Sequence, residues 1–269
     1  MSRRHITFPC QGEALVGTLD DAPGQTGLLI VSGGNELRSG PWGSQALIAE
    51  KAALAGFPVF RFDRRGIGDS EGENGGFASS AEDIAAAIAA FRGNMPKLRQ
   101  IVGFGNCDAA SALMLTGGHG LDALVLANPW TFEPESESEP EPEAAPAPMP
   151  PSVLRRHYLK RLTNPGALWR LLTGRVKLGP MAASLTEAAK ADAPPSSLAQ
   201  QMANGLAGFT GTATILLAEN DRTAQVFRTN WNKADLRIRK CPDASHSFAE
   251  PQARIWLQGQ ILAALRSLG

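Results

Sequence analysis

The stretch from Gln100 to Ser111 constrains this chain more than any other. A short apolar run, Gln100-Ile101-Val102-Gly103-Phe104, leads directly into Gly105-Asn106-Cys107-Asp108-Ala109, and an alanine-rich helical segment follows at once. A strand that turns this sharply into a helix lifts one side chain clear of its sheet. The strand and helix backbones nearly touch at such a turn, so the positions two before and two after the raised residue must be small. Gly105 and Ala109 meet that need, and Cys107 is the raised residue. A thiol at the first turn of a helix sits where negative charge is favoured, which promotes the reactive thiolate. A lone cysteine after a strand can also be a small buried hydrophobe, so the remaining chain has to be read for partners.

The length, 269 residues, fits one large α/β domain or a core domain with an insertion. A formal net charge of zero argues against a protein that binds nucleic acid by neutralising phosphates. The three cysteines, Cys10, Cys107 and Cys241, form no close-spaced pair and suggest no disulfide framework. His5, His119, His157 and His246 are too scattered to announce a metal site, and no cofactor motif is expected. The N-terminus runs from Met1-Ser2-Arg3-Arg4-His5 into a strand-like segment and not an apolar leader. With no stretch long enough to span a bilayer, the chain reads as soluble and cytoplasmic.

Short apolar runs alternate with helical segments, the pattern of a mostly parallel sheet flanked by helices. Ile6 to Cys10 and Ala14 to Leu19 are expected to pair across Gln11-Gly12. Further strands are expected at Leu28 to Ser32, Pro58 to Asp63, Gln100 to Phe104, Ala123 to Ala127, Ala213 to Ala218 and Leu236 to Arg239, giving about eight. Helices are expected over Ser44 to Ala55, Ser80 to Arg92 and Pro251 to Leu268. In the second, Ser80 and Asp83 offer a capping pair and Ile84, Ile88 and Phe91 line one face.

Two segments break this pattern. Residues 133–151 carry six Glu, no basic residue and many prolines, a composition that cannot bury a core. Residues 152–177 are the reverse, with Arg155, Arg156, Lys160, Arg161, Arg170, Arg175 and Lys177 among apolar residues such as Leu154, Tyr158 and Trp169. The division expected is a core of residues 1–130 and 209–269, with 131–208 inserted as a helical lid. A basic amphipathic lid suits peripheral contact with an anionic membrane or an acidic substrate. Simple solvation, or neutralisation by the neighbouring acidic stretch, accounts for the same charges and is the preferred account.

A nucleophile raised in this way works with an acid and a histidine that follow it in that order. Asp221 follows the run Thr214-Ile215-Leu216-Leu217-Ala218, and His246 lies between the last strand and the last helix. His246 would take the Cys107 proton, while Asp221 would fix its tautomer and stabilise the imidazolium. Asp221 could instead cap the next helix, and Glu219 and Asp243 compete as the acid. An oxyanion hole needs two backbone N–H groups. Asp108 is expected to give one, and the loop Ser32-Gly33-Gly34-Asn35-Glu36 the other, with Asn35 as the donor. The Asp108 carboxylate opposes a neighbouring thiolate unless it turns away, toward Arg64 or Arg65. The segment Asp63-x-Arg65-Gly66-x-Gly68-x-Ser70 reads as scaffold.

With these residues in view, the chain resembles the α/β-hydrolase superfamily over its whole length apart from the acidic insert. The resemblance rests on Val31-Ser32-Gly33-Gly34-Asn35, on Phe60 to Gly72, and on Cys107, Asp221 and His246. More narrowly, Gly105 to Ser111, Leu126-Ala127-Asn128-Pro129-Trp130 and Arg156-His157-Tyr158-Leu159 resemble the exosortase A system-associated hydrolase 1 group. That likeness implies a setting of exopolysaccharide production and exosortase-dependent sorting, without a substrate. Cys107 departs from the usual serine. The function expected is a cysteine-dependent acyl hydrolase or acyltransferase acting on a small-molecule ester or thioester. The competing expectation is a protein of the same fold that binds an acyl or lipid-linked intermediate, or a partner enzyme, without turnover.

Overall fold

The computed structural model describes residues 2–132 and 196–269. Strands β1 (Arg3–Cys10) and β2 (Glu13–Asp20) form the expected opening hairpin. Its turn residues, Gln11 and Gly12, have φ of 52° and 91°, the positive values a tight two-residue hairpin requires. The remaining strands are β3 (Thr26–Val31), β4 (Val59–Phe62), β5 (Gln100–Asn106), β6 (Ala123–Ala127), β7 (Thr212–Ala218) and β8 (Ile238–Cys241). They make one eight-stranded sheet in the order β1-β2-β4-β3-β5-β6-β7-β8. Only the β1–β2 and β2–β4 pairs are antiparallel; from β4 to β8 the sheet is parallel.

Parallel strands joined by helices are covered on both faces, which is why β3, β4 and β6 are buried throughout and largely apolar, with Arg61 of β4 buried against Asp20. The two-residue period divides their side chains between two cores. Leu29, Val31, Phe60, Phe62 and Ile101 pack with Ile84 and Phe91 of α2 (Ala81–Asn94) and Leu113 of α3 (Asp108–Leu115). Leu28, Ile30, Val102, Phe104 and Val125 pack on the other side, with Ile48 of α1 (Ser44–Leu54) and Leu257 and Ile261 of α6 (Pro251–Arg266). Between them in sequence come α4 (Ser197–Ala207) and α5 (Arg222–Asn230).

The strand order reverses at β3. The chain leaves β3 toward β4 on one side and returns to β5 on the other, which makes the carboxyl edge at β3 and β5 the topological switch point of the sheet. Val31 pairs with Gly105 in register, which sets the loop after β3 beside Cys107.

Two local expectations fail for identifiable reasons. Ser80 makes no side-chain cap to α2. Its hydroxyl accepts from Arg64 Nη1 at 2.9 Å and donates to the Gly76 carbonyl, while buried Asp83 accepts from the Arg65 backbone and guanidinium. Tertiary partners have drawn off both members of the capping pair. The last strand lies two residues later than the alternating segment Leu236 to Arg239 suggested. Asp235 accepts from the Arg237 N–H and guanidinium and from Trp231 Nε1, holding a turn that leaves Leu236 exposed.

Most of the expected insertion 131–208, including its acidic and basic segments, lies outside the described residues. Its last part is α4, capped by Ser196 accepting from the Ala199 N–H, with Met202 and Leu206 joining the core beside Leu113 and Met114. Among the described residues, no helix is long and apolar enough to cross a membrane.

Candidate active site

Cys107 sits between β5 and α3 with φ 62° and ψ −127°, a backbone conformation that side-chain-bearing residues rarely adopt. Such a conformation costs on the order of 1–3 kcal/mol and persists only where its surroundings fix it. Here the Cys107 N–H donates to the Ala127 carbonyl of β6, and the Cys107 carbonyl accepts from the Ala110 N–H at 3.1 Å. A methyl at Gly105 would stand 2.7 Å from the Ala109 carbonyl carbon, closer than real contacts allow. The expected need for small residues on either side of the nucleophile is therefore a contact between two backbones. Cys107 is partly exposed, unlike buried Cys10 and Cys241, whose thiols burial pushes up, Cys10 to about 11.

The other two elements of the expected triad come from loops after β7 and β8, two and three strands further along the same carboxyl edge. The Asp221 carboxylate lies 3.0 Å from His246 Nδ1. The same carboxylate accepts from the N–H groups of Thr223 and Ala224, capping α5. Capping and the contact with histidine, two alternatives on sequence grounds, are thus met together by one side chain. Of the three acids the sequence left open, Glu219, Asp221 and Asp243, Asp221 is the one against His246. The imidazole holds its proton up to about 10; hydrogen bonding to Asp221 is the largest cause and to Cys107 the next, against an opposing desolvation.

What aims His246 was missed in the sequence reading. Asn128, wholly buried with φ 42°, donates from Nδ2 to Asn106 Oδ1 and to the His246 carbonyl. Its Oδ1 accepts from the Ala218 N–H at the end of β7. Asn106 Nδ2 donates to the same His246 carbonyl. One pair of amides therefore ties β5, β6, β7 and the histidine loop. The signal available was an asparagine at the end of an apolar strand, a residue type that tolerates the left-handed backbone region.

On the other side of the elbow stands the loop after β3. A methyl on Gly33 would lie 2.7 Å from both the Asn106 carbonyl oxygen and Asp108 Oδ1, and 3.7 Å from Cys107 Cβ. Only glycine lets this loop approach so closely. The loop N–H bonded across to the elbow is that of Gly34, which donates to Asp108 Oδ1 at 2.7 Å. Asn35, the donor expected from sequence, is exposed, and its side-chain carbonyl accepts from Asn74 Nδ2. The Asp108 side chain turns to Arg64 and not Arg65: Arg64 Nη2 lies 3.4 Å from Asp108 Oδ2 and donates to the Gly34 carbonyl at 2.5 Å. Arg65 pairs with Asp83 and Glu82.

Glu36, in the same loop, accepts weakly from Gln45 at 3.5 Å. Burial raises its carboxyl above the ordinary range; Asp108 adds to the rise, while His246 and Arg64 oppose it. Asp63 and Ser70 behave as the scaffold expected: buried Asp63 accepts from the Arg38 N–H and guanidinium, and Ser70 donates to the Asp63 carbonyl. Among the described residues, no group of His, Cys, Asp and Glu could hold a metal ion.

An eight-stranded, mostly parallel sheet with flanking helices and a strained strand-to-helix turn beside its reversal point is the architecture of the α/β-hydrolase fold. Residues 28–255 match the alpha/beta hydrolase family, and the chain belongs to it. No curated protein matches the chain by sequence. Among solved structures it is similar to the esterase Pf2001 of Pyrococcus furiosus, at 12% identity and a TM-score of 0.59 over 99% of this chain and 90% of that one. It is also similar to the alpha/beta hydrolase GrgF from Penicillium sp. sh18, at 14% identity and a TM-score of 0.62 over 99% of both chains. A third likeness is to the thioesterase domain from the curacin biosynthetic pathway, at 13% identity and a TM-score of 0.54 over 97% of this chain and 100% of that domain. At these identities the likeness is one of fold.

Proposed function

We propose that the protein is a cysteine-dependent acyl hydrolase or acyltransferase that works through a thioester on Cys107. The observation that carries this reading is the Asp221–His246 contact of 3.0 Å, in an imidazole whose proton affinity is raised first by Asp221 and next by Cys107 on its strained turn. In the proposed cycle the Cys107 sulfur attacks an ester or thioester carbonyl while its proton resides on His246. The N–H groups of Asp108 and of the loop Gly34–Asn35 hold the oxyanion. His246 protonates the leaving group, and water or another acceptor then takes the acyl group. Asp221 keeps the ring oriented and stabilises its charged form. The esterase and thioesterase among the structural neighbours carry such names for themselves; for this chain, small esters and thioesters are the substrates to try first.

The narrower setting, exopolysaccharide production alongside an exosortase system, rests on the sequence likeness of Gly105 to Ser111, Leu126 to Trp130 and Arg156 to Leu159. A lid over residues 131–208 that touches a membrane rests on charge pattern alone.

Intact-mass spectrometry after exposure to p-nitrophenyl acetate and to an acyl thioester tests the reading. One acyl group per chain is expected, absent in Cys107→Ala and strongly slowed in His246→Ala, with turnover reduced about 10³-fold or more in either. Full activity in Cys107→Ala would end the proposal. Tight binding of an acyl ligand with no adduct under any condition would favour the non-catalytic binding protein.

A further inference from the structure

The hydrogen bond from the Gly34 N–H to Asp108 has a chemical consequence for the acyl-transfer reading. An oxyanion hole works because its N–H groups point at empty space where negative charge will develop. The Asp108 N–H begins α3 immediately after the nucleophile. The partner N–H must come from the loop that touches the elbow. A methyl built on Gly33 lies 3.7 Å from Cys107 Cβ, so the Gly33–Gly34 peptide is the unit in contact. Its N–H already has an acceptor, and that acceptor is a carboxylate oxygen at 2.7 Å.

We propose that the Asp108 carboxylate is a specificity-determining occupant of the oxyanion hole: it holds the Gly34 N–H that a substrate oxyanion needs, and acylation requires it to shift onto Arg64. This rests on the acyl-transfer reading above. The destination is in place. Arg64 is buried at 3% exposure, anchored by donation to Ser80 Oγ at 2.9 Å and to the Gly34 carbonyl. Its Nη2 stands 3.4 Å from Asp108 Oδ2, long for an ion-paired hydrogen bond. A small rotation of the carboxylate would shorten that contact and release the Gly34 N–H. A substrate that binds too weakly to drive this exchange meets a carboxylate where its own charge must grow, and like charges there raise the barrier. Substrates with binding groups away from the carbonyl supply the missing free energy, so the residue filters small unspecific esters.

The reaction that reads this out is acylation by p-nitrophenyl acetate. The sulfur forms a bond to the carbonyl carbon, the π pair moves to oxygen, and the thiol proton goes to His246. Collapse of the oxyanion breaks the carbon–oxygen bond, releasing p-nitrophenolate and leaving acetyl on Cys107. Stopped-flow absorbance gives the rate and intact mass gives the adduct. Asp108→Ala keeps the backbone N–H of residue 108 and removes the occupant; acylation is expected to accelerate about 10-fold or more, part of the roughly 10²–10³-fold that one oxyanion donor contributes. Asp108→Asn keeps the shape without the charge and should fall between.

If the carboxylate is instead a clamp that holds the loop in place, both variants acylate more slowly than the parent, and the proposal is overturned. Equal rates overturn it too. Asp108→Asn is the safeguard against misfolding: a slow Asp108→Asn with the parent's melting temperature is decisive by itself. A parent that is acylated, beside variants no faster, sinks this inference and leaves the acyl-transfer reading standing. Absence of any adduct in parent and variants alike sinks both.

Discussion

Replacing Asp221 separates its two structural duties, because the carboxylate both caps α5 and stands 3.0 Å from His246 Nδ1. Asparagine caps a helix about as well as aspartate, whereas alanine forfeits about 0.5–2 kcal/mol. At about 2–4 °C per kcal/mol for a chain of this size, Asp221→Ala should melt about 1–8 °C below Asp221→Asn. Catalysis should divide differently. Both variants lose the negative charge that holds the imidazolium, so kcat/KM for a p-nitrophenyl ester should fall about 10³–10⁴-fold in each. The imidazole itself reports the cause. In the parent it should titrate near 10, well above its ordinary 6.5, and in Asp221→Asn it should move back down, because the largest source of the shift is gone. The sign is that of a raised histidine. The stabilisation from the charged ring is fully present below about 6.5 and is lost as pH rises through about 10. Ring C–H resonances followed by NMR from pH 5 to 11, with melting curves at both ends, make the measurement. If Asp221→Asn retains the parent's kcat/KM while Asp221→Ala alone loses it, the carboxylate is a helix cap and nothing more, and Glu219 or Asp243 returns as the acid.

Two further perturbations test how the site is built. Asn128→Ala removes the donor to the Asn106 side chain and the His246 carbonyl and the acceptor for the Ala218 N–H, and leaves alanine at a φ of 42°. Urea unfolding should show a loss of about 2–4 kcal/mol; a change under about 0.5 kcal/mol would mean these bonds are readily replaced by water. Gly105→Val puts a branched side chain against the Ala109 carbonyl carbon, where even a methyl would stand at 2.7 Å. The turn must open, costing about 1–3 kcal/mol or more, and Cys107 should no longer be acylated by p-nitrophenyl acetate. Parental acylation in that variant would show that the close approach is not what raises the thiol.

Much of the fold can be read from the chain because parallel strands buried on both faces leave a strong mark. The runs Leu28 to Val31 and Ala123 to Ala127 are apolar without alternation, which few other structures tolerate. Where the local expectation fails, a polar side chain has taken another partner, distant in one case and near in the other. Ser80 and Asp83 look like a capping pair along the sequence, yet Arg64 and Arg65, sixteen and eighteen residues earlier, claim them. Leu236 begins an alternating segment, Leu236-Arg237-Ile238-Arg239, that resembles a strand, yet the Asp235 turn holds it in solvent. Local rules cannot anticipate the first case, because the competing bonds exist only after the chain has folded back; the second is a local turn in which Asp235 accepts from the N–H two residues on.

The candidate site divides along the same line. Cys107, Asp221 and His246 are legible because each must lie just beyond a strand, and strand ends are marked by where apolar runs stop. The roles of the Asn106 and Asn128 amides escape a reading of the chain, since a single asparagine at a strand end has no periodicity, and nothing along the chain says that two of them share the His246 carbonyl.

From sequence alone, then, came the order of the elements, the parallel sheet and the position of a cysteine on a turn too tight for any large neighbour. These follow from short-range sterics and from the burial of apolar runs, which every local segment carries within itself. Only the folded chain decided that Asp221 both caps a helix and meets the histidine, that Gly34 and not Asn35 is the loop residue bonded to the elbow, and that the Asp108 carboxylate lies on its N–H with Arg64 behind it. Those are choices among partners of nearly equal chemistry, separated by fractions of an ångström. Distances of that kind are set by the register of β3 against β5 and by the packing of two cores, not by any residue's own preference.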